Sequence, residues 1–178
     1  MTASETDFVL AQYETLRAEI LLLIETQSQL VGVNVVAFGA LLSVAVQGEH
    51  ASVVLVYPIV SLILGISWLN HAYAICRTSE FIARHIEPNH FQADLGWETY
   101  LRTLEPTAIN KIGYWGVRAV FAGGSVLSLL VSLLIGVHGE TQWIAFWVSS
   151  AIVVGTIVLF AFMREPSHEI SNPNSGSA

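Results

Sequence analysis

The chain has 178 residues, which is room for one domain, and its composition excludes a soluble protein of that size. Apolar residue types make up 53% of the chain, charged types make up 12%, and the mean hydropathy is +0.60, which is typical of an integral membrane protein. The net charge of -7 argues against a nucleic-acid partner. The single cysteine, Cys76, excludes an intramolecular disulfide and a four-cysteine metal site.

Residues 1–29 are predicted to form a cytoplasmic amphipathic helix that leads directly into the first membrane span. Their acidic, polar start lacks the basic region and the early apolar run of a cleavable signal peptide. Apolar residues then recur with a 4-3-4-3 spacing, which places them on one side of a helix. We refer to this set as the apolar stripe, which consists of Val9, Tyr13, Leu16, Ile20 and Leu23.

Four apolar runs, uncharged apart from Arg118 at the start of the third, predict transmembrane helices at residues 30–47, 51–70, 117–137 and 142–163. Each has about the 20 residues that a helix needs to cross a hydrocarbon core of roughly 30 Å. In lipid such a run must be helical, because every backbone polar group needs a partner within the segment. The predicted fold is an all-α integral membrane bundle of four transmembrane helices, arranged as two hairpins. Tyr57 is assigned to one of the aromatic belts at the membrane surface.

The region 71–116, between the second and third spans, is predicted to be helical and cytoplasmic. Its first helix ends at Pro88 and carries a second stripe of apolar residues, Ile75, Ile82 and Ile86. Because the N-terminal helix approaches the membrane and this helix leaves it, the two can pack antiparallel and extend the first hairpin. These helices form either a membrane-proximal stalk or a module for oligomerisation or sensing.

The basic residues predict the orientation of the spans. Arg17 precedes the first span, Arg164 follows the fourth, and the other five lie between the end of the second span and the first turn of the third. The two short loops at the opposite ends of the spans contain none. The positive-inside rule therefore places both termini and the central region in the cytoplasm. The tail, residues 164–178, is predicted to be disordered.

Uncharged polar residues within the spans are candidates for a polar layer. Asn34 and Asn70 are expected at a similar depth near the cytoplasmic side, with Ser125 and Thr156 close to the same level. Polar groups in lipid tend to bond one another, so the layer would act as a structural clamp or as a constriction for ions or water. The candidates for this layer or for a pore lining are Asn34, Asn70, Ser125, Ser128, Ser132 and Thr156.

The third span also carries small residues four apart, which let helix backbones approach closely. This ladder indicates packing within the bundle, an oligomer seam or a weakly polar pore lining. Its members are Gly124, Ser128, Ser132 and Gly136.

The chain lacks the usual signs of transport coupling, catalysis and metal binding. Apart from Arg118, at the start of the third span, the spans contain no Asp, Glu, Lys or Arg, which weakens the case for an ion-coupled transporter. No nucleophile motif or phosphate-binding glycine loop is present, so neither an enzyme nor a cofactor is expected. His85, Glu87, His90 and Asp94 have metal-ligand types, but Pro88 interrupts their helical spacing. A solvated helix end is the favoured interpretation of that segment, and no metal is expected.

The helix YETLRAEILLLIE, which runs into the first span, and the helix HAYAICRTSEFIARHIEP, which leaves the second, carry a resemblance in layout. The chain resembles the small four-helix membrane effectors of bacterial conflict systems, the SLATT-type proteins. The resemblance is architectural, covers most of the chain and includes no diagnostic motif, so no functional residue is transferred from it. It implies a pore that opens when a partner or a nucleotide signal triggers it.

The leading hypothesis is an oligomeric, non-enzymatic inner-membrane protein that forms pores and is gated through its cytoplasmic helices. Its expected partners are the lipid bilayer, further copies of the chain, and a cytoplasmic protein or signalling ligand. The alternative is an accessory or scaffold subunit that holds a protein partner through the apolar stripe. A small-solute exporter is a third, weaker hypothesis.

Overall fold

The computed structural model of the chain describes residues 3–48, 50–90, 96–103, 113 and 115–162. All regular elements among these residues are helical. The predicted disordered tail, residues 164–178, lies outside them. The α-helices, numbered in chain order, are α1 Ala3–Gly48, α2 Ala51–Val54, α3 Tyr57–Phe81, α4 Glu87–His90, α5 Trp97–Thr103, α6 Gly124–Ile135 and α7 Glu140–Phe162. Two π-helical turns complete them, π1 at Ile82–Ile86 and π2 at Ala119–Gly123.

Four helical segments are long and apolar enough to cross a membrane: Thr6–Gly48, Ala51–Asn89, Trp115–Ile135 and Glu140–Phe162. This confirms the predicted all-helical class with four candidate spans. The first two segments, of 43 and 39 residues, are about twice the length of the other two. At 1.5 Å per residue, the 46 residues of α1 extend for roughly 69 Å, more than twice the thickness of a hydrocarbon core.

The bundle is organised around α3, which packs along α1 and also contacts α6 and α7. Leu69 of α3, Phe121 of π2 and Phe160 of α7 form a buried apolar cluster. The two phenylalanine rings are stacked with their centroids 5.8 Å apart. Gly65 makes this contact possible, because a Cβ atom there would lie 3.0 Å from the ring of Phe160.

The outer surface of the four apolar segments consists largely of exposed apolar side chains. Val36, Leu134 and Phe162 are examples, with exposed fractions of 71%, 86% and 82%. Such a surface in water would be an association hazard, whereas hydrocarbon solvates it. Trp143 and Trp147, near the start of α7, are also exposed.

The register between α1 and α3 corrects one expectation. The Nε2 atom of Gln27 donates to the carbonyl oxygen of Trp68 at 3.1 Å, so Asn70 lies near the level of Gln27. Asn34 is seven residues further along α1, roughly 10 Å away at 1.5 Å per residue. Asn70 is exposed, whereas Asn34 is fully buried. The expectation that the two asparagines share one depth is therefore wrong.

Candidate functional site

A buried polar network joins three of the four apolar segments. In the structure this network differs from the predicted layer, and from here on the polar layer means four residues only. They are Asn34 of α1, Tyr57 and Ser61 of α3, and Ser125 of α6. All four side chains are at most 1% exposed. They meet at π2 in the third segment, where the α-helical hydrogen-bond pattern is interrupted.

The carbonyl of Phe121, inside π2, is bonded by two serines. The hydroxyl of Ser125 donates to it at 2.8 Å from the following turn, and the hydroxyl of Ser61 donates to it at 3.0 Å from α3. A π turn displaces carbonyls from the regular ladder, and at membrane depth those groups need another partner. Ser61 therefore both satisfies the irregular turn and fastens the second segment to the third.

Tyr57 occupies the centre of the layer. Its hydroxyl oxygen accepts a hydrogen bond of 2.9 Å from the Nδ2 atom of Asn34. Its ring meets that of Phe38 edge to face at a centroid distance of 4.8 Å. Gly124 lies against the hydroxyl, because a Cβ atom at that position would be 2.5 Å from the Tyr57 oxygen. The expected assignment of Tyr57 to an aromatic belt is therefore wrong, since the side chain is 1% exposed.

Asn34 keeps one polar atom without a protein partner. Its Oδ1 atom is buried and makes no hydrogen bond to the described residues. Exchanging the positions of the amide oxygen and nitrogen leaves the other amide atom without a partner, because the Tyr57 hydroxyl can form a hydrogen bond with only one of the two. A buried acceptor left unbonded costs about 1–3 kcal/mol. Asn34 is thus the energetically weakest member of the layer.

A second irregularity, between α2 and α3, is satisfied in a similar way. Pro58 in the first turn of α3 has no N–H group, and the N–H of Ile59 bonds the carbonyl of Val56. The carbonyl of Leu55 instead accepts a 2.8 Å bond from the hydroxyl of Ser149 in α7. Serines from neighbouring helices therefore satisfy both irregular turns.

The other predicted span residues are placed mostly inside the bundle. Ser128, Ser132 and Thr156 are fully buried. Their hydroxyls donate to carbonyls of their own helices, those of Ser125, Leu129 and Ile152. Gly136 ends α6 with a positive φ of 101°, a conformation that glycine adopts without strain. The small-residue ladder thus lies largely inside the bundle of this chain rather than on its outer face.

The apolar stripe of α1 is also covered by the chain itself. Ile20 forms a buried cluster with Ile82 and Ile86 of π1. The other residues packed against this cluster are Val9, Tyr13, Leu16 and Ile75. Leu23, the last member of the stripe, is partly buried outside the cluster. We call the assembly of α1 before residue 30 with α3 after residue 70, π1, α4 and α5 the helical extension.

Glu87 binds the start of α5 within the extension. Its side chain is 3% exposed and accepts bonds of 2.8 and 2.7 Å from the N–H groups of Glu98 and Thr99. The hydroxyl of Thr99 adds a third bond of 2.7 Å. These N–H groups have no partner within a helix, and the negative charge suits the helix dipole. The expected solvated helix end is therefore wrong for Glu87.

An ion pair connects the same short helix to α1. Arg17 donates to the carboxylate of Glu98, whose residue is 6% exposed. Tyr13 lies beside this group, and burial raises the pKa of its hydroxyl above 10.0. The carboxylates of Glu87 and Glu98 raise this pKa further, and Arg17 opposes them.

Sequence reasoning missed Tyr57, Ser61, Ser149 and Glu87 as structural partners. Pro58 next to Tyr57 signals a helix start inside an apolar run, and such breaks require polar partners. For Glu87 no comparable signal exists, because its partners are eleven and twelve residues further along the chain. Among the residues that the structure describes, no group of three or more acidic, histidine or cysteine side chains could hold a metal ion.

Comparison with known proteins yields no match to this chain among family models, curated proteins or solved structures.

Proposed function

We propose that this chain is a non-enzymatic, oligomeric protein of a bacterial inner membrane that forms a pore under the control of its helical extension. In this proposal both termini and the extension are cytoplasmic, and the described arrangement is the closed state. The resemblance in layout to SLATT-type effectors supports it.

The observation that carries the proposal is the continuity of α1. One uninterrupted helix bears Arg17, which is held in the extension, and Asn34, which is held in the polar layer. The two residues are 17 positions apart, roughly 26 Å along a straight helix. A rotation or shift of the extension is therefore transmitted directly to the polar layer.

The polar layer has the properties of a closed gate. Asn34 bonds Tyr57 between the first and second segments, and Ser61 bonds the Phe121 carbonyl between the second and third. Among the described residues the Oδ1 atom of Asn34 has no partner, and water entering the layer would satisfy it. Displacing Asn34 exposes the Tyr57 hydroxyl and the serines around π2, which can solvate a water-filled path. The burial of Ser128 and Ser132 inside the protomer means that opening requires the segments to separate.

Flux through purified protein in liposomes tests this proposal. Tyr57→Phe keeps the ring and removes the hydroxyl that Asn34 bonds, so we expect faster release of an encapsulated dye or ion than from wild type. Ser67→Ala is the matched control, because the Ser67 hydroxyl bonds only the Ile63 carbonyl of its own helix. Equally tight vesicles for wild type, Tyr57→Phe and the control would refute the pore.

The proposed orientation has its own test in intact cells. In a Cys76→Ser background, a cysteine replacing the exposed His50 should react with a membrane-impermeant maleimide. A cysteine replacing the exposed Glu14 should not react until the cells are opened. The reverse pattern would invert the topology.

A second candidate, an accessory or scaffold subunit, is favoured by one observation. Apolar and aromatic side chains are exposed on the extension, outside the predicted spans: Leu21 and Leu22 on α1, and Trp97 and Tyr100 on α5. This surface, rather than the covered apolar stripe, would contact a protein partner. Replacing Leu21 and Leu22 with serine should then abolish co-purification of that partner while leaving liposome flux unchanged.

A further inference from the structure

The short helix α5 is attached to the extension by several polar contacts. Its outward side carries the exposed rings of Trp97 and Tyr100, with centroids 6.4 Å apart. Its inward side carries Glu98, which is buried. A seven-residue helix is too short to be stable alone, so its position depends on the groups that bind it.

Two contacts meet at Glu98 and link three parts of the chain. The backbone N–H of Glu98 donates to Glu87, just after π1, and its carboxylate accepts from Arg17 of α1. Gly96 allows the close approach of Glu87, because a Cβ atom there would lie 2.6 Å from its Oε2 atom. The backbone N–H and the hydroxyl of Thr99 donate two further hydrogen bonds to the carboxylate of Glu87.

We infer that α5 is a releasable clamp that holds α1 to π1 and α4 of the extension through Arg17, Glu98 and Glu87, and that its release is the step that frees α1 to move. The gating consequence rests on the proposed pore function, whereas the clamp itself rests only on these contacts. Apolar packing of Ile20 against π1 remains when the clamp is open, so the extension loosens without unfolding.

The polar nature of the clamp makes it a switch rather than a permanent joint. The Glu98 side chain is 8% exposed and that of Arg17 is 29% exposed, so removing Arg17 leaves a buried carboxylate without its charged partner and weakens the attachment of α5. A purely apolar contact would weaken in proportion to the area lost. The extension also contains an exposed ion pair for comparison, Glu80 with Arg84 at 2.7 Å, and such surface pairs contribute little.

Amide hydrogen exchange on the full-length protein in lipid nanodiscs tests the clamp. Arg17→Gln and Glu87→Gln should each speed exchange across residues 97–103 by at least about tenfold, the scale expected for losing hydrogen bonds to a charged group. Exchange across α3 should stay unchanged. Glu80→Gln, the matched control, should leave residues 97–103 as in wild type.

Swapping the two charges of the ion pair distinguishes loss of the pair from general misfolding of a variant. Arg17→Glu alone should open the clamp, and adding Glu98→Arg should restore slow exchange of residues 97–103. Wild-type exchange in both Arg17→Gln and Glu87→Gln would overturn the clamp. If the double variant with swapped charges still shows fast amide exchange at residues 97–103, the role of the ion pair is overturned.

Liposome flux separates this inference from the proposed function. Clamp variants that exchange faster and leak faster support both. If Tyr57→Phe leaks while the open-clamp variants stay as tight as wild type, the pore stands and the gating role of α5 is overturned. If no variant leaks, the pore function is refuted, and the clamp contact is still judged by the exchange data.

Discussion

Replacing Gly124 with alanine tests whether the polar layer is rigid. The new Cβ atom would lie 2.5 Å from the Tyr57 hydroxyl and 3.2 Å from two ring carbons. Tyr57 cannot turn away freely, because it is 1% exposed, contacts Phe38 and is bonded by Asn34. Overpacking of this kind costs about 1–3 kcal/mol, and losing the Asn34 bond adds about 0.5–1.5 kcal/mol. The higher helix propensity of alanine offsets about 1 kcal/mol, so we expect a net loss of about 0.5–3.5 kcal/mol.

Reversible unfolding in mixed detergent micelles, followed by circular dichroism, measures this loss. Gly155→Ala in α7 is the matched control, because no heavy atom lies within 4 Å of its new Cβ, and we expect its stability to equal or exceed that of wild type. Adding Tyr57→Phe to Gly124→Ala removes the closest atom and should recover part of the loss. Equal stabilities for the two alanine variants would show that Tyr57 yields, and the rigid-layer argument would fail.

Three further outcomes follow from individual contacts. Ser149→Ala leaves the Leu55 carbonyl without its bond from α7 and should destabilise the protein by about 1 kcal/mol. Ser150→Ala, the control, loses a bond within its own helix and should change stability less. Equal losses in the two variants would contradict the role of the Ser149 bond. The raised pKa of Tyr13 means that folding favours its neutral form, so its contribution to stability should be complete below pH 10.0 and should be lost as the pH rises through the higher folded pKa. A tyrosinate absorbance titration of wild type minus Tyr13→Phe tests this, and a midpoint at or below the ordinary value counts against it. Burial raises the pKa of the Cys76 thiol, and the carboxylate of Glu80 raises it further. At neutral pH iodoacetamide should therefore modify this thiol more slowly in the folded protein than after denaturation. Equal rates of modification would show an unperturbed thiol.

Local patterns were sufficient to predict the four apolar segments and the residues of the two extension stripes. Helical periodicity is a property of neighbouring residues, so the positions of Ile20 and Ile82 on inward faces follow from spacing alone. Buried positions for Asn34 and Ser125 follow from the cost of exposing polar groups to lipid.

Register between helices was not predictable in the same way. The depth of Asn70 was estimated from the end of an apolar run, whereas the contact between Gln27 and Trp68 sets it in the structure. Hydropathy boundaries differ between neighbouring helices by several residues, and each residue shifts a helix by 1.5 Å. A short error in a boundary therefore moves a side chain out of a layer.

By itself, the sequence determined that the chain is helical, that four segments suit a membrane, and that the first helix carries an apolar stripe into the first span. Only the tertiary structure decided which polar groups meet. Asn34 and Tyr57 are 23 residues apart, and Arg17 and Glu98 are 81 residues apart, so no local pattern records their contact. These pairs depend on helix register and on the close approaches allowed by Gly124 and Gly96, because hydrogen bonds and ion pairs act only over a few ångströms.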